Sequence, residues 1–133
     1  MTNWADLVAI NDALARYADG VNRRDKALWA SAWDEDAEWF LFGPDTIRGR
    51  DAIVAAWVEA MAGFPFVVMF ASQGQVKIEG DHAAGVSYTD EVARMADGTE
   101  VRVTGTYEDR YVRRDGRWGF AYRKFTALHT QTL

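Results

Sequence analysis

The chain has 133 residues, a length typical of one domain that buries its core without disulfides. Its 49% hydrophobic and 26% charged residues are ordinary for a globular protein, and the lack of cysteine excludes a disulfide scaffold and any thiolate metal or redox site. The formal net charge of −5 argues against nucleic-acid binding, and no apolar run reaches the length of a membrane span, so we expect a cytoplasmic protein with no membrane partner.

The first third of the chain predicts two helices. Asn3 is a suitable N-cap for the first, in which apolar residues recur every three or four positions from Leu7 to Val21. Asp25 can cap a shorter second helix, which we expect to carry both Trp29 and Trp33.

A strand and a third helix follow. Residues 37–43 predict the strand, and the turn residues at 43–46 end it. Residues 48–61 predict a helix with Ile53, Trp57 and Met61 on one side. Phe64 and Pro65 follow a glycine that breaks the helix.

The rest of the chain predicts antiparallel strands joined by hairpin turns, at residues 66–72, 75–80, 83–95, 101–114 and 118–128. Helices first and strands afterwards predict an α+β domain, with the helices packed on one face of a curved, mostly antiparallel sheet. By simple alternation, the last strand places Phe120 and Tyr122 on one side and Arg123 and Phe125 on the other. Both sides carry apolar bulk, so we expect a second chain over the free face and hence a homo-oligomer, a dimer or a trimer.

One acidic residue interrupts an apolar strand face. Every second residue from Val101 to Tyr111 is apolar, glycine or tyrosine except Asp109. A carboxylate there has two interpretations: it forms an ion pair with a neighbouring arginine such as Arg123, or it is a general base.

Five stretches of the sequence together resemble a known family. They are YADGVNRRD, WDEDAEW, IRGRDAI, KIEGDHAAG and YEDRYVRRDGRW, and they occur in the order seen in the SnoaL-like branch of the nuclear transport factor 2-like superfamily. The resemblance implies one domain over residues 1–133, a cone-shaped α+β barrel around a deep, mostly apolar pocket. It also implies cofactor-free acid/base chemistry on a hydrophobic small molecule, because an apolar pocket raises the pKa of a carboxylate toward neutral pH.

Two positions depart from the family's catalytic pattern. In the dehydratase and dehydrochlorinase members, an aspartate at the end of the first helix orients a histidine on the strand after the third helix. The matching positions here are Asn22 and Met69, and neither side chain exchanges a proton. The two histidines of the chain are poor substitutes for the missing catalytic histidine. His82 is expected in an exposed turn and His129 in the C-terminal tail.

Three charged residues remain as candidates for chemistry. Asp109 is the first candidate base, and polyketide cyclases of the superfamily also use an aspartate from a strand. Glu91 is the second: alternation leaves its face open, and the resemblance places it near the pocket. If the two acids face each other, they could share a proton. Arg123 matches a pocket arginine of the dehydrochlorinase, where it could hold an anion or neutralise Asp109.

The remaining pocket candidates are aromatic or apolar. Tyr17, Tyr107 and Tyr111 could donate hydrogen bonds to an oxyanion or simply fill the core. Trp39 and Met69 are interpreted as apolar pocket wall, and Asn22 as a substrate contact. With two histidines and no cysteine, no metal site and no cofactor are expected.

The sequence therefore predicts a cofactor-independent lyase, isomerase or cyclase that acts on a hydrophobic small molecule. The alternative is a non-catalytic protein that binds such a molecule after loss of the aspartate–histidine pair. A purely structural module for oligomerisation is the third possibility.

Overall fold

A computed structural model describes residues 3–41 and 44–133 and gives three helices and six strands within those ranges. In chain order these are α1 (Trp4–Arg23), α2 (Lys26–Ala30), β1 (Trp33–Phe40), β2 (Ile47–Arg48), α3 (Arg50–Ala62), β3 (Phe66–Glu79), β4 (His82–Arg94), β5 (Glu100–Arg114) and β6 (Arg117–Thr132). The strands form one sheet in the order β2-β1-β6-β5-β4-β3. Every neighbouring pair is antiparallel except β1 and β6, which are parallel. The expected α+β architecture is confirmed.

The two predicted helix starts are correct. The side chain of Asn3 accepts a hydrogen bond from the backbone N–H of Asp6 at 3.2 Å, and Asp25 accepts one from Leu28 at 3.0 Å. These caps satisfy backbone donors that have no partner inside the helix.

The close approach of α2 to α1 depends on one glycine. A Cβ atom at Gly20 would lie 2.8 Å from the backbone of Trp29, a distance that no side chain tolerates without a backbone shift. With glycine there, Trp29 is fully buried and its ring centroid lies 5.3 Å from that of Tyr17. Gly20 thus helps to set the aromatic wall beside the sheet.

The predicted boundaries differ from the structure in the first half of the chain. Trp33 was predicted in the second helix but begins β1, which starts four residues before the predicted strand. The end predicted for that strand includes Phe42 and Gly43, which lie outside the described residues. A tryptophan flanked by alanine, serine and aspartate carries little local preference, and the pairing of Trp33 with Phe120 decides its state.

The predicted alternation of the last strand is wrong at its centre. The β5–β6 register shifts between Arg110 and Tyr111, so Arg110 pairs with Tyr122 and Tyr111 with Phe120. This β-bulge puts Phe120 and Arg123 on one face, where the guanidinium lies 4.1 Å from the centre of the Phe120 ring. The two strands predicted at 66–72 and 75–80 are likewise one strand, β3, with a register shift between Gln73 and Val76.

Helices α1 and α3 cover one face of the sheet, which we call the inner face. The core lies between them and contains the buried tryptophans together with Tyr107 and Tyr111 of β5. Among the described residues, no helix is long and apolar enough to cross a membrane.

Candidate functional site

Asp109 and Arg123 form a buried ion pair on the inner face. They are register partners on β5 and β6, and Asp109 is only 2% exposed while Arg123 is fully buried. Nε of Arg123 donates to Oδ1 of Asp109 at 2.7 Å, and Nη2 donates to Oδ2 at 3.3 Å. Burial alone would lower the pKa of Arg123, but the Asp109 carboxylate outweighs it, and the pKa of the guanidinium is raised.

Further hydrogen bonds complete the shell around this pair. Ser87 on β4 accepts from Nη2 of Arg123 at 2.7 Å and donates to Oδ2 of Asp109 at 2.8 Å. Tyr111 donates to the same carboxylate oxygen at 3.2 Å. A carboxylate with all these partners and almost no exposure is held in place by its neighbours. The catalytic role of Asp109 stays a prediction, and this geometry favours its structural interpretation.

Aromatic rings enclose the guanidinium of Arg123. Its central carbon lies 3.6 Å from the ring centre of Tyr107, 4.1 Å from that of Phe120 and 4.5 Å from that of Tyr17. Such contacts stabilise a desolvated cation. Nη1 of Arg123 is buried and has no acceptor among the described residues. This nitrogen is therefore a free donor inside the fold.

Tyr17 of α1 and Tyr107 of β5 form a pair of phenols next to Arg123. Their hydroxyl oxygens are 3.2 Å apart, and both residues are buried. Burial raises the pKa of both phenols, and the Glu91 carboxylate adds a smaller contribution in each case. Both hydroxyls therefore remain protonated at neutral pH and can donate hydrogen bonds.

Glu91 is the acid on the inner face that lacks a counter-charge. It lies on β4 in register with Met69 of β3 and Val103 of β5, and it is partly buried. In the described part of the chain, its carboxylate makes no ion pair and no side-chain hydrogen bond. Burial raises the pKa of Glu91 from 4.5 to about 6. A carboxylic acid that titrates near neutral pH and remains partly accessible is suited to exchange protons.

Asp109 and Glu91 do not face each other across the strands. Asp109 is in register with Gly85 on β4, and Glu91 lies six positions further along that strand. At ~3.3 Å per strand residue, the two positions are roughly 20 Å apart. The condition set for a coupled pair is therefore not met, because the register separates the two acids along the sheet.

Asn22 has a definite structural partner. At the end of α1, its amide nitrogen donates to the backbone carbonyl of Met69 at 2.8 Å, and its amide oxygen accepts from the backbone N–H of Met69 at 2.7 Å. Strand β3 lies at the edge of the sheet, so Asn22 supplies Met69 with the two backbone hydrogen bonds that a neighbouring strand would otherwise make. An aspartate could accept from the N–H but could not donate to the carbonyl. The side chain of Met69 is buried, and Met69 is in register with Glu91 of β4.

The wall of the site is a tryptophan cluster. The centroids of Trp29, Trp33 and Trp39 lie 5.5–5.6 Å from one another, and Trp57 stacks on Trp29 at 4.5 Å. The indole N–H groups of the first three are buried without an acceptor among the described residues. Trp39 was predicted as pocket wall from its position in the sequence, and it lies in this buried cluster.

Two features of the site were not predicted. Ser87 and Gln73 belong to the Asp109 shell, Gln73 through a hydrogen bond with the hydroxyl of Tyr111. The alternation of β4 does put Ser87 on the same face as Glu91, so that signal was present in the sequence. Gln73 lies beside the β3 register shift, which no sequence signal announced.

Two cavities lie along the sheet, and most of their lining residues are on the opposite, outer face. The larger, of about 580 Å³, is lined by Glu38, Lys77, Arg110 and Tyr122 among others, and the smaller, of about 290 Å³, by Val68, Phe70 and Leu133 among others. Tyr111 of the Asp109 shell also lines the larger cavity, whereas Glu91 and Arg123 line neither of the two. In residues 3–41 and 44–133, no group of three or more histidine, aspartate or glutamate side chains is placed to hold a metal ion.

Comparison with known proteins gives consistent matches over most of the chain. A family model described as a SnoaL-like domain matches residues 3–124. The gamma-hexachlorocyclohexane dehydrochlorinase of Sphingobium indicum is 25% identical over 122 residues, which are 90% of this chain and 78% of that protein. The crystal structure of a type 2 hexachlorocyclohexane dehydrochlorinase (LinA) superposes with a TM-score of 0.90 at 21% identity, covering 98% of this chain and 90% of the other. A putative scytalone dehydratase from Novosphingobium aromaticivorans gives a TM-score of 0.88 at 21% identity, covering 98% and 89%.

Proposed function

Because the chain belongs to the SnoaL-like domain family, we propose that it is a cofactor-independent lyase or isomerase that removes a proton from carbon in a hydrophobic small molecule. Its similarity to a dehydrochlorinase supports the lyase-type role. Glu91 is the proposed base. The observation that carries the proposal is the position of this carboxylate, partly accessible on the inner face, without a counter-charge and with a pKa raised by burial to about 6.

The base acts on the carbon acid when it is ionised. Above pH 6 most of the Glu91 population carries a charge, and partial desolvation makes that carboxylate a stronger base than an exposed glutamate. Abstraction breaks a C–H bond, and its electron pair forms a C=C bond. In an elimination the bond from the adjacent carbon to the leaving group breaks at the same time, and the group departs as an anion with the electrons of that bond. In an isomerisation the π electrons of a neighbouring carbonyl move to its oxygen, and they return when Glu91 delivers the proton to another carbon.

In this proposal, several buried donors stabilise the negative charge that develops on the substrate. The phenols of Tyr17 and Tyr107 stay protonated, and Nη1 of Arg123 has no acceptor of its own among the described residues. Donors that are already in position before the reaction need no rearrangement as charge develops, which is the basis of oxyanion stabilisation. In this proposal, Asp109 is a positioning residue that holds Arg123 through two hydrogen bonds.

A proton-abstraction assay tests the proposal. The full chain is incubated in D₂O with γ-hexachlorocyclohexane and, separately, with a panel of cyclic ketones. Chloride release reports elimination, and deuterium incorporation seen by NMR reports reversible abstraction. We expect at least one compound to react, with kcat/KM rising as the pH passes through about 6.

Variants assign the base. Glu91→Gln is expected to lower kcat by ~10²–10⁴-fold, the usual contribution of a general base. The matched control is Glu108→Gln, because Glu108 is an exposed glutamate on the outer face of the neighbouring strand and its removal also deletes one carboxylate. Equal activity in Glu91→Gln and the wild type would exclude Glu91 as the base.

The second candidate function is binding of an apolar molecule without turnover. The contact between Asn22 and the Met69 backbone favours it, since these two positions form a structural bridge and not a proton-exchanging pair. Ligand binding to the full chain, detected by quenching of the buried tryptophans, together with no proton abstraction from any bound compound, would support this function over the enzyme.

A further inference from the structure

We propose that the larger cavity binds a small molecule made of a flat apolar ring and a single carboxylate. This cavity of about 580 Å³, here called the outer-face cavity, is lined by Glu38, Lys77, Ala84, Arg110 and Tyr122 among others. In the proposed complex the carboxylate pairs with Arg110, and the ring covers the small side chains beside it. The proposal concerns a second site and is independent of the function proposed for the inner face.

The outer-face cavity follows one row of residues across five strands. Lys77, Ala84, Arg110, Tyr122 and Glu38 are successive register partners on β3, β4, β5, β6 and β1. Register partners point to the same face of a sheet, so these side chains stand next to one another. Neighbouring strands are ~4.8 Å apart, which separates the Cα atoms of Lys77 and Arg110 by about 10 Å. Since only the methyl group of Ala84 lies between these two long cations, the row contains a gap that a ligand can enter.

The floor of the cavity is apolar. Ala84 and Ala121 contribute methyl groups, and Tyr122 contributes a partly buried ring. This ring lies between Arg110, whose guanidinium carbon is 4.6 Å from the ring centre, and Phe40, whose ring centroid is 5.3 Å away. An apolar floor beside a cation favours a ligand that is mostly hydrophobic and carries one negative group.

Arg110 supplies the positive charge. It is exposed and lines the cavity, and it forms no ion pair with any described residue. Its contact with the ring of Tyr122 is a cation–π interaction, which orients the plane of the guanidinium. A guanidinium held in this way can donate two parallel hydrogen bonds to a carboxylate.

The other charged side chains that line the cavity have counter-charges, apart from His82. They belong to three ion pairs: Lys77–Glu79, Glu38–Arg48 and Asp36–Arg114. In the described part of the chain, Arg110 is thus the one permanently charged lining residue without a partner. The carboxylates of the three pairs repel a phosphate dianion or a dicarboxylate more strongly than a single carboxylate. The charge pattern therefore selects a monoanion.

The size of the cavity agrees with a small organic ligand. Its volume of about 580 Å³ lies within the ~300–1,000 Å³ that is usual for small-molecule sites. Both Lys77 and Arg110 are exposed, so solvent reaches the charged end of the ligand. We therefore expect a modest affinity, with a dissociation constant of about 1 mM for a one-ring carboxylate.

Binding of 4-fluorobenzoate to the full chain, followed by ¹⁹F NMR, tests the proposal. The matched control ligand is 4-fluorobenzamide, which has nearly the same shape and no charge. The amide should bind about tenfold more weakly or less, because it cannot accept charge-assisted hydrogen bonds from Arg110.

Two variants locate the site. Arg110→Gln should weaken the binding of 4-fluorobenzoate about tenfold or more, since it removes the guanidinium. Ala84→Leu should weaken it to a similar extent without any change of charge, because the larger side chain fills the gap between Lys77 and Arg110. The matched control is Arg117→Gln, which removes an exposed arginine of β6 that lines neither described cavity.

Three results would overturn the proposal. The first is no binding of 4-fluorobenzoate to the wild type at concentrations up to about 10 mM. The second is equal affinity for the benzoate and the benzamide. The third is binding that survives unchanged in both Arg110→Gln and Ala84→Leu, which would place the ligand elsewhere, for example beside Arg123. Circular dichroism verifies folding, and if one variant fails to fold the other decides. Binding is measured without turnover, so the absence of enzymatic activity would not affect this outcome.

Discussion

Replacing Glu91 by glutamine should stabilise the protein, and the gain should grow with pH. Burial raises the pKa of Glu91 in the folded state to about 6, compared with 4.5 for the exposed group. The folded protein therefore holds this proton more tightly than the unfolded chain does. Below pH 4.5 both states are protonated and there is no penalty, whereas above pH 6 the folded state carries a desolvated charge.

The magnitude follows from the two pKa values. The full penalty at high pH is about 2 kcal/mol, since each pKa unit corresponds to 1.36 kcal/mol. Proton linkage gives a penalty of about 0.8 kcal/mol at pH 5 and about 2 kcal/mol at pH 8. Glutamine has nearly the same shape and no charge, so Glu91→Gln should recover these amounts.

Urea denaturation of both proteins at pH 5, 6, 7 and 8 measures the effect. The difference in free energy of unfolding, variant minus wild type, should rise by about 1.2 kcal/mol over this range. Glu108→Gln controls for the deletion of one carboxylate from a strand, because Glu108 is exposed on the outer face.

Two results would refute the reasoning. If Glu91→Gln destabilises the protein at pH 8, the Glu91 carboxylate has a favourable partner in the folded state. If the gain is the same at pH 5 and pH 8, or no larger than that of Glu108→Gln, burial does not hold the carboxylate in the protonated form.

Four further substitutions test the structural account. Asp109→Asn should cost ~3–5 kcal/mol of unfolding free energy because it leaves the Arg123 charge buried without a counter-ion. The added change Arg123→Met should recover part of that loss in a double-mutant cycle, and two additive losses would contradict a tight pair. Asn22→Asp should cost ~1–3 kcal/mol, since the carboxylate cannot donate to the Met69 carbonyl, and faster hydrogen exchange at the Met69 amide would report the loosened contact. Gly20→Ala should lower the melting temperature, since its Cβ would meet a neighbouring backbone at 2.8 Å, and an unchanged melting temperature would show that the two helices separate without cost.

Much of the fold follows from local signals in the sequence. Asn3 and Asp25 cap helices because their short polar side chains satisfy free backbone N–H groups, and this preference can be recognised from the sequence alone. The hairpins between β3 and β6 follow from turn residues and alternation. Trp33 could not be assigned in this way, because only its pairing with Phe120 across the sheet makes it a strand residue.

The candidate site is less readable from the sequence. Simple alternation predicts that Phe120 and Arg123 lie on opposite faces, but the β-bulge opposite Arg110 and Tyr111 brings them together. The contrast between the acids likewise depends on distant partners. Asp109 is paired because Arg123 lies directly across from it, whereas Glu91 has Val103 and Met69 as its neighbours.

The exposed end of β6 shows the same limitation. The sequence predicts a strand to about residue 128, and the structure extends it to Thr132 with no neighbour beyond Lys124 on the β1 side in the described chain. Apolar bulk on both sides of β6 led to the expectation of an oligomer.

The most direct test of Glu91 as a tuned base is a carboxyl ¹³C NMR titration of the protein labelled at glutamate side chains. The resonance that disappears in Glu91→Gln is assigned to this residue, and its chemical shift is followed from pH 4 to pH 8. The account predicts a midpoint at about pH 6. A midpoint at 4.5, the value of a carboxyl group in water, would contradict it and leave the inner face without a base suited to proton abstraction.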